Sequence, residues 1–115
     1  MLVIGIDPGS RFTGYGIVRK TGQQLEHVAS GRVNASAKNK EFIERLDIIY
    51  QGLVHVLEEF TPDQAAVESI FTARNAMSSL KLGHARGVAL LALRHHELAL
   101  NEYAPAMVKQ TVAGH

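Results

Sequence analysis

The 115-residue chain has no cysteine, no tryptophan and only three prolines. Without cysteine, neither a disulfide framework nor a thiolate zinc centre can form. No apolar run is long enough to span a bilayer, and the N-terminal run 2–6 lacks the basic flank of a signal peptide. A soluble, cytoplasmic protein is the expectation. His84, His95 and His96 show no zinc-ligand spacing, and no H-E-x-x-H occurs, so they read as ordinary helix residues. Acidic residues are missing from a long stretch as well. None lies between Glu68 and Glu97, where Arg74, Lys81, Arg86 and Arg94 stand.

What is present suits one globular domain over 1–115, at 46% hydrophobic and 20% charged residues. The net charge of +1 conceals a polarised chain. Residues 8–40 carry six Lys/Arg against Glu26, and residues 41–63 carry six acids against Arg45. A basic face beside isolated carboxylates suits a polyanionic substrate. A solvated face with chance clustering would give the same charge pattern.

The stretch LVIGIDPGSRFTGYG organises the chain. Residues 2–6 form an apolar β-prone run, the pattern of a strand covered on both faces. Asp7 ends it, Pro8 removes a backbone donor, and Gly9 allows a sharp turn. An acid so placed can hold a metal or a phosphate, or can simply cap its own turn. A second strand over 13–20 leads through Thr21-Gly22 into a third, antiparallel strand over 24–33.

Helix A is expected over 40–60, its apolar stripe running Phe42, Leu46, Ile49, Leu53, Leu57, Phe60. Its opposite face (Glu44, Asp47, Gln51, His55, Glu58) is acidic and would turn away from nucleic acid. Thr61-Pro62-Asp63 stops the helix, and residues 64–69 make a fourth strand with Glu68 near its end. A right-handed strand–helix–strand crossover makes strands one and four parallel. Asp7 and Glu68 then emerge at one edge, above the small residues Gly5 and Ala66. Two acids held close repel, and a divalent cation relieves the repulsion. Pairing of Glu68 with Arg11 is the bland alternative.

Helix B, over 73–97 with Thr72 or Asn75 at its start, is apolar on two sides. One carries Ala76, Leu80, Leu90 and Leu91 with Gly83 and Gly87; the other carries Leu82, Ala85, Ala89 and Leu93. A helix covered on two sides lies between its own sheet and something else, here a second copy of the chain. Packing of the glycines onto the sheet fits equally. Arg74, Ser78 and Lys81 share a polar strip near the helix start, where the dipole favours phosphate. A fifth strand over 99–103 and a short helix over 107–112, carrying Lys109, complete the chain.

The blocks IGIDPGSRFTGYG, AVESIF, NAMSSLKLGHARGVAL and EYAPAMVKQTV together resemble the RuvC-type Holliday-junction resolvases, crossover-junction endodeoxyribonucleases. The first block alone is shared with sugar kinases and actin-like ATPases; the four in order are specific. The resemblance implies an α/β, ribonuclease H-like fold. Its mixed five-stranded sheet has three antiparallel N-terminal strands, then parallel strands, with flanking helices. It further implies that Asp7 and Glu68 are catalytic carboxylates of a two-ion Mg2+ site, with Mn2+ a possible substitute. Phe71 matches an aromatic that stacks on an unpaired base at the crossover, and Lys109 a lysine near the scissile phosphate. Arg74 and Lys81 match backbone contacts by position. Implied partners are four-way junction DNA, a second copy of the chain and a branch-migration motor complex. Family members continue beyond the point where this sequence stops and carry two further acids there.

Two functions from different classes follow. One is a homodimeric, metal-dependent endonuclease that nicks four-way junctions symmetrically during recombination and repair. The other is a non-catalytic junction-binding module, motivated by the two family carboxylates with no counterpart in this sequence. A phosphotransferase half-domain of the sugar-kinase type would need a second domain and further phosphate loops.

Overall fold

The sheet has the order β3-β2-β1-β4-β5. Its strands are β1 (Leu2–Asp7), β2 (Phe12–Thr21), β3 (Gln24–Asn34), β4 (Gln64–Glu68) and β5 (Ala99–Tyr103), with helices α1 (Phe42–Phe60) and α2 (Ala76–His95). The structure is a computed structural model and describes residues 1–68, 75–103 and 112. β1 pairs antiparallel with β2, and β2 with β3, while β1–β4 and β4–β5 are parallel. This is the mixed sheet expected. The tight turn between β2 and β3 depends on Gly22, whose φ of 64° a β-carbon would disfavour. A register shift after Ile17 leaves Val28 as the extra residue of β3, a bulge that increases local twist.

Alternation along the strands decides where the core sits. Ile4 and Ile6 pair with Ala65 and Val67 of β4, and Ile4 also pairs with Ile17 of β2. All five are fully buried, in one cluster with Leu46, Ile49, Leu53, Val56 and Leu57 of α1 and Ala85, Ala89, Ala92 and Leu93 of α2. Both helices therefore cover the same face of the sheet. On the other face Gly5 is paired with Gly16 and with Ala66, a floor of small residues across three strands.

α1 begins at Phe42, two residues later than its periodicity suggested, because Glu41 and Glu44 form a reciprocal capping box. It ends at Thr61, which adopts a left-handed conformation and donates its amide to Leu57 O at 2.9 Å. Its midpoint comes close to β3. A β-carbon at Gly52 would stand 2.6 Å from a Val33 methyl. α2 is capped by Asn75, whose side chain accepts from the Ser78 amide at 2.9 Å; Thr72 lies outside the described residues. It ends at His95 rather than 97, since Glu97 has a φ of 58°. The Tyr50 hydroxyl and His95 Nδ1, 2.5 Å apart, tie the two helices together. The expected helix start at 73–74, strand residue 69 and the short helix over 107–111 lie outside the described residues.

Candidate active site

Topology brings the chemistry to one edge. β1 and β4 run in the same direction, so their last residues, Asp7 and Glu68, finish on the same side of the sheet. Their register pairs Ile6 with Val67, and the next step sets Asp7 beside Glu68 along the backbone. α1 leads back into β4 and α2 follows β4, so both helices start near this edge as well.

Asp7 is half-buried, and its carboxylate takes part in no hydrogen bond or ion pair among the described residues. It does not cap the turn that follows it. The fully buried Thr13 does so instead, its hydroxyl donating to Gly9 O (3.0 Å) and accepting from Gly9 N (3.3 Å). Gly9 has no space for a side chain, since a β-carbon there would collide with Phe12 O. Across the β1–β2 ladder Asp7 faces Gly14, and a β-carbon at Gly14 would meet Val112 at 3.0 Å and Asp7 Cβ at 3.9 Å. Half-buried and without a partner among the described residues, the Asp7 carboxylate is open to a ligand from outside the sheet. Oxygen donors over a floor of small residues fit a hard divalent cation. Among the described residues no group of three or more metal-ligating side chains gathers; of the expected pair, the Asp7 side chain is described and that of Glu68 is not.

Around this edge the cations are organised. Arg45 donates from Nε to Ala35 O (2.9 Å) and from a terminal nitrogen to Ser10 O (2.7 Å), tying α1 to the turn after Asp7. The ring of Phe42 lies 5.8 Å from the Arg45 guanidinium and 5.9 Å from Lys81 Nζ, and packs edge-on against His84. Arg32 stacks over Phe12 at 4.3 Å. Arg11 forms no ion pair among the described residues; the one salt bridge there joins Lys40 and Glu44.

Of the residues singled out from sequence, Asp7 and Glu68 end adjoining strands and Lys81 lies near the start of α2. Phe71, Arg74 and Lys109 lie outside the described residues. Sequence reasoning missed the position of Arg45, counting it only as a lone base in an acidic helix. Its spacing from Phe42 and Ile49, three and four residues, puts it on the margin of the buried stripe and could have revealed it.

Residues 3–115 match the family model described as crossover junction endodeoxyribonuclease RuvC. The chain belongs to the RuvC family. It is 50% identical to RuvC of Haemophilus ducreyi, covering 98% of this chain and 58% of that protein, and 48% identical to RuvC of Cronobacter sakazakii, covering 98% and 64%. The chain thus spans about three-fifths of the length of these curated relatives. Among solved structures, Thermus thermophilus RuvC in complex with Holliday junction substrate matches with a TM-score of 0.80 at 30% identity, covering 96% of this chain and 68% of that one. The yeast mitochondrial Holliday junction resolvase Ydc2 matches with a TM-score of 0.67 at 17% identity, a likeness of fold. The ribonuclease H-like architecture expected from sequence is therefore that of this RuvC-family chain.

Proposed function

We propose that this RuvC-family chain carries the strand-cutting centre of an endonuclease that resolves four-way DNA junctions by symmetric nicking in recombination and repair. The observation that carries the reading is the half-buried Asp7 at the end of β1, without a partner among the described residues and one register step from the end of β4 at Glu68. In this reading Asp7 and Glu68 hold Mg2+, for which Mn2+ can substitute, within a two-ion site. A divalent ion bound there supplies an activated water and neutralises charge developing on the scissile phosphate.

The chain's own part is to position. Thr13 fixes the turn so that the Asp7 carboxylate stays available, and the small residues Gly5 and Ala66 leave space beneath the edge. Phe71 stacks on an unpaired base, a contact worth about 1–3 kcal/mol. Arg74 and Lys81 hold the backbone, and Lys109 lies near the phosphate to be cut. The exposed acids of α1 orient DNA away from that helix and toward the basic edge.

Two-fold nicking calls for two copies of the site. α2 leaves Met77, Leu80 and Leu91 exposed, while a β-carbon at Gly83 or Gly87 would meet nothing within 4 Å. The glycines therefore do not pack on the sheet. This apolar stripe is the proposed homodimer contact. The reading also includes a branch-migration motor complex as partner and a cytoplasmic location; no helix among the described residues is long and apolar enough to cross a membrane.

The test is cleavage of a synthetic four-way junction in Mg2+ or Mn2+. Paired nicks in strands of like polarity are expected, and Asp7→Asn should lower the rate by about 10³-fold or more, as loss of several kcal/mol of transition-state stabilisation requires. Junction binding should persist in the variant. Undiminished cleavage by Asp7→Asn rejects the site, and binding without nicks by the parent chain leaves only the junction-binding module.

A further inference from the structure

We propose that Ser10, Arg11, Arg45, Ser78 and Lys81 form a second phosphate-binding pocket, beside the acidic edge but separate from it, that grips the backbone of the bound DNA. The proposal rests on the nuclease reading above, in which Lys81 already holds the DNA backbone, and extends it to Ser10, Arg11 and Arg45, which neither the resemblance nor the sequence motifs assign.

The five residues line one concavity of about 290 Å³. They come from three places in the chain: the turn after Asp7, the first turns of α1 and the first turns of α2. Three are cations and none is an acid. Neither Arg11, Arg45 nor Lys81 forms a salt bridge among the described residues, so three converging positive charges face no counter-ion there. Like charges gathered without compensation repel, and an anion of matching size relieves that cost. At roughly 30 Å³ per water, the space admits a phosphodiester group with part of its hydration.

The pocket is also preorganised. Arg45 is held by the carbonyls of Ala35 and Ser10, and its other terminal nitrogen donates to no described residue. Guanidinium groups restrained in this way lose little further freedom when they bind phosphate. Lys81 and Arg45 lie at similar distances from the Phe42 ring, which gives both charges a common apolar support. The Ser10 and Ser78 hydroxyls add neutral donors.

Position favours a strand over a free anion. Ser10 follows Asp7 by three residues, so their α-carbons are at most about 11 Å apart, within about three base steps of axial rise along one DNA strand. The main chain of Arg11 accepts from the Ala35 amide at 2.7 Å, which draws the end of β3 to the same basic edge. One strand can thus pass from the acids to this pocket, whose grip would fix which phosphate reaches Asp7.

The experiment measures affinity for a synthetic junction as a function of salt, using the parent chain, Arg11→Gln, Lys81→Gln and the double variant, with thermal melting to check folding. A shared phosphate predicts that either substitution alone weakens binding by up to about eightfold at 0.1 M salt, and that the two together cost little more. The slope of log K against log salt should fall in magnitude by about one in the double variant. A fall of about two, with fully additive losses, means separate surface charges and overturns the pocket. An unchanged slope with intact parent binding overturns it too, while leaving the nuclease reading in place. A parent chain that binds no junction removes both. Titration with inorganic phosphate supplies the second arm. Saturable binding that perturbs Arg11 and Lys81, combined with normal DNA affinity of the double variant, would reassign the pocket to free phosphate.

Discussion

Thr13 holds Gly9 at both ends of one residue, its hydroxyl bonding the Gly9 carbonyl and amide together. That relationship relieves Asp7 of the capping work that aspartate in an Asp-Pro-Gly turn commonly does. Because Thr13 is fully buried, its hydroxyl cannot be replaced there by solvent. Thr13→Val keeps the shape but leaves both Gly9 groups unsatisfied, and should cost about 1–3 kcal/mol. A lower denaturant midpoint at unchanged slope is the expected signature. Thr13→Ser should recover most of the loss. Junction cleavage by Thr13→Val should fall as well, because the turn can then recruit the Asp7 carboxylate.

The contact between α1 and β3 offers a cleaner packing test. Gly52→Ala gains about 1 kcal/mol of helix propensity, yet the new methyl lies 2.6 and 2.8 Å from the two Val33 methyls. Valine has no long side chain to swing aside, so helix and strand must separate, at about 1–3 kcal/mol. Net destabilisation of about 1 kcal/mol is expected in chemical unfolding. Adding Val33→Ala should relieve the clash and turn the interaction energy favourable in a double-mutant cycle.

Assembly through α2 is tested by Leu80→Glu. Leu80 is 56% exposed in the single chain, so the change should alter its thermal unfolding little. Sedimentation should show loss of the dimer, and paired nicking should give way to single nicks. A parent chain that sediments as a monomer at high concentration, with normal paired nicking, would rule out this contact.

Much of the architecture follows from local chemistry. The apolar run over 2–6, the Thr21-Gly22 turn and the stripe from Phe42 to Phe60 each specify an element through periodicity that holds in isolation. The core side of α2 was legible, because Ala85, Ala89 and Leu93 recur there at helical spacing and are buried, but Leu90, expected on the outer side, packs against the core. Element ends were read less well. Capping by Glu41 with Glu44, and the left-handed Glu97, depend on side-chain and backbone geometry that periodicity does not encode.

For the site, the sequence by itself determined which residues are acids, which are cations, and that Asp7 and Glu68 close two β-prone runs. Tertiary structure alone decided that these runs are neighbours in register, that Thr13 and not Asp7 satisfies the turn, and that the Arg45 side chain reaches from its acidic helix to the pocket shared with Arg11 and Lys81. The physical reason is range. Periodicity and turn preference act over a few residues, whereas strand register and the convergence of charges from three elements arise only once the shared core has brought those elements together.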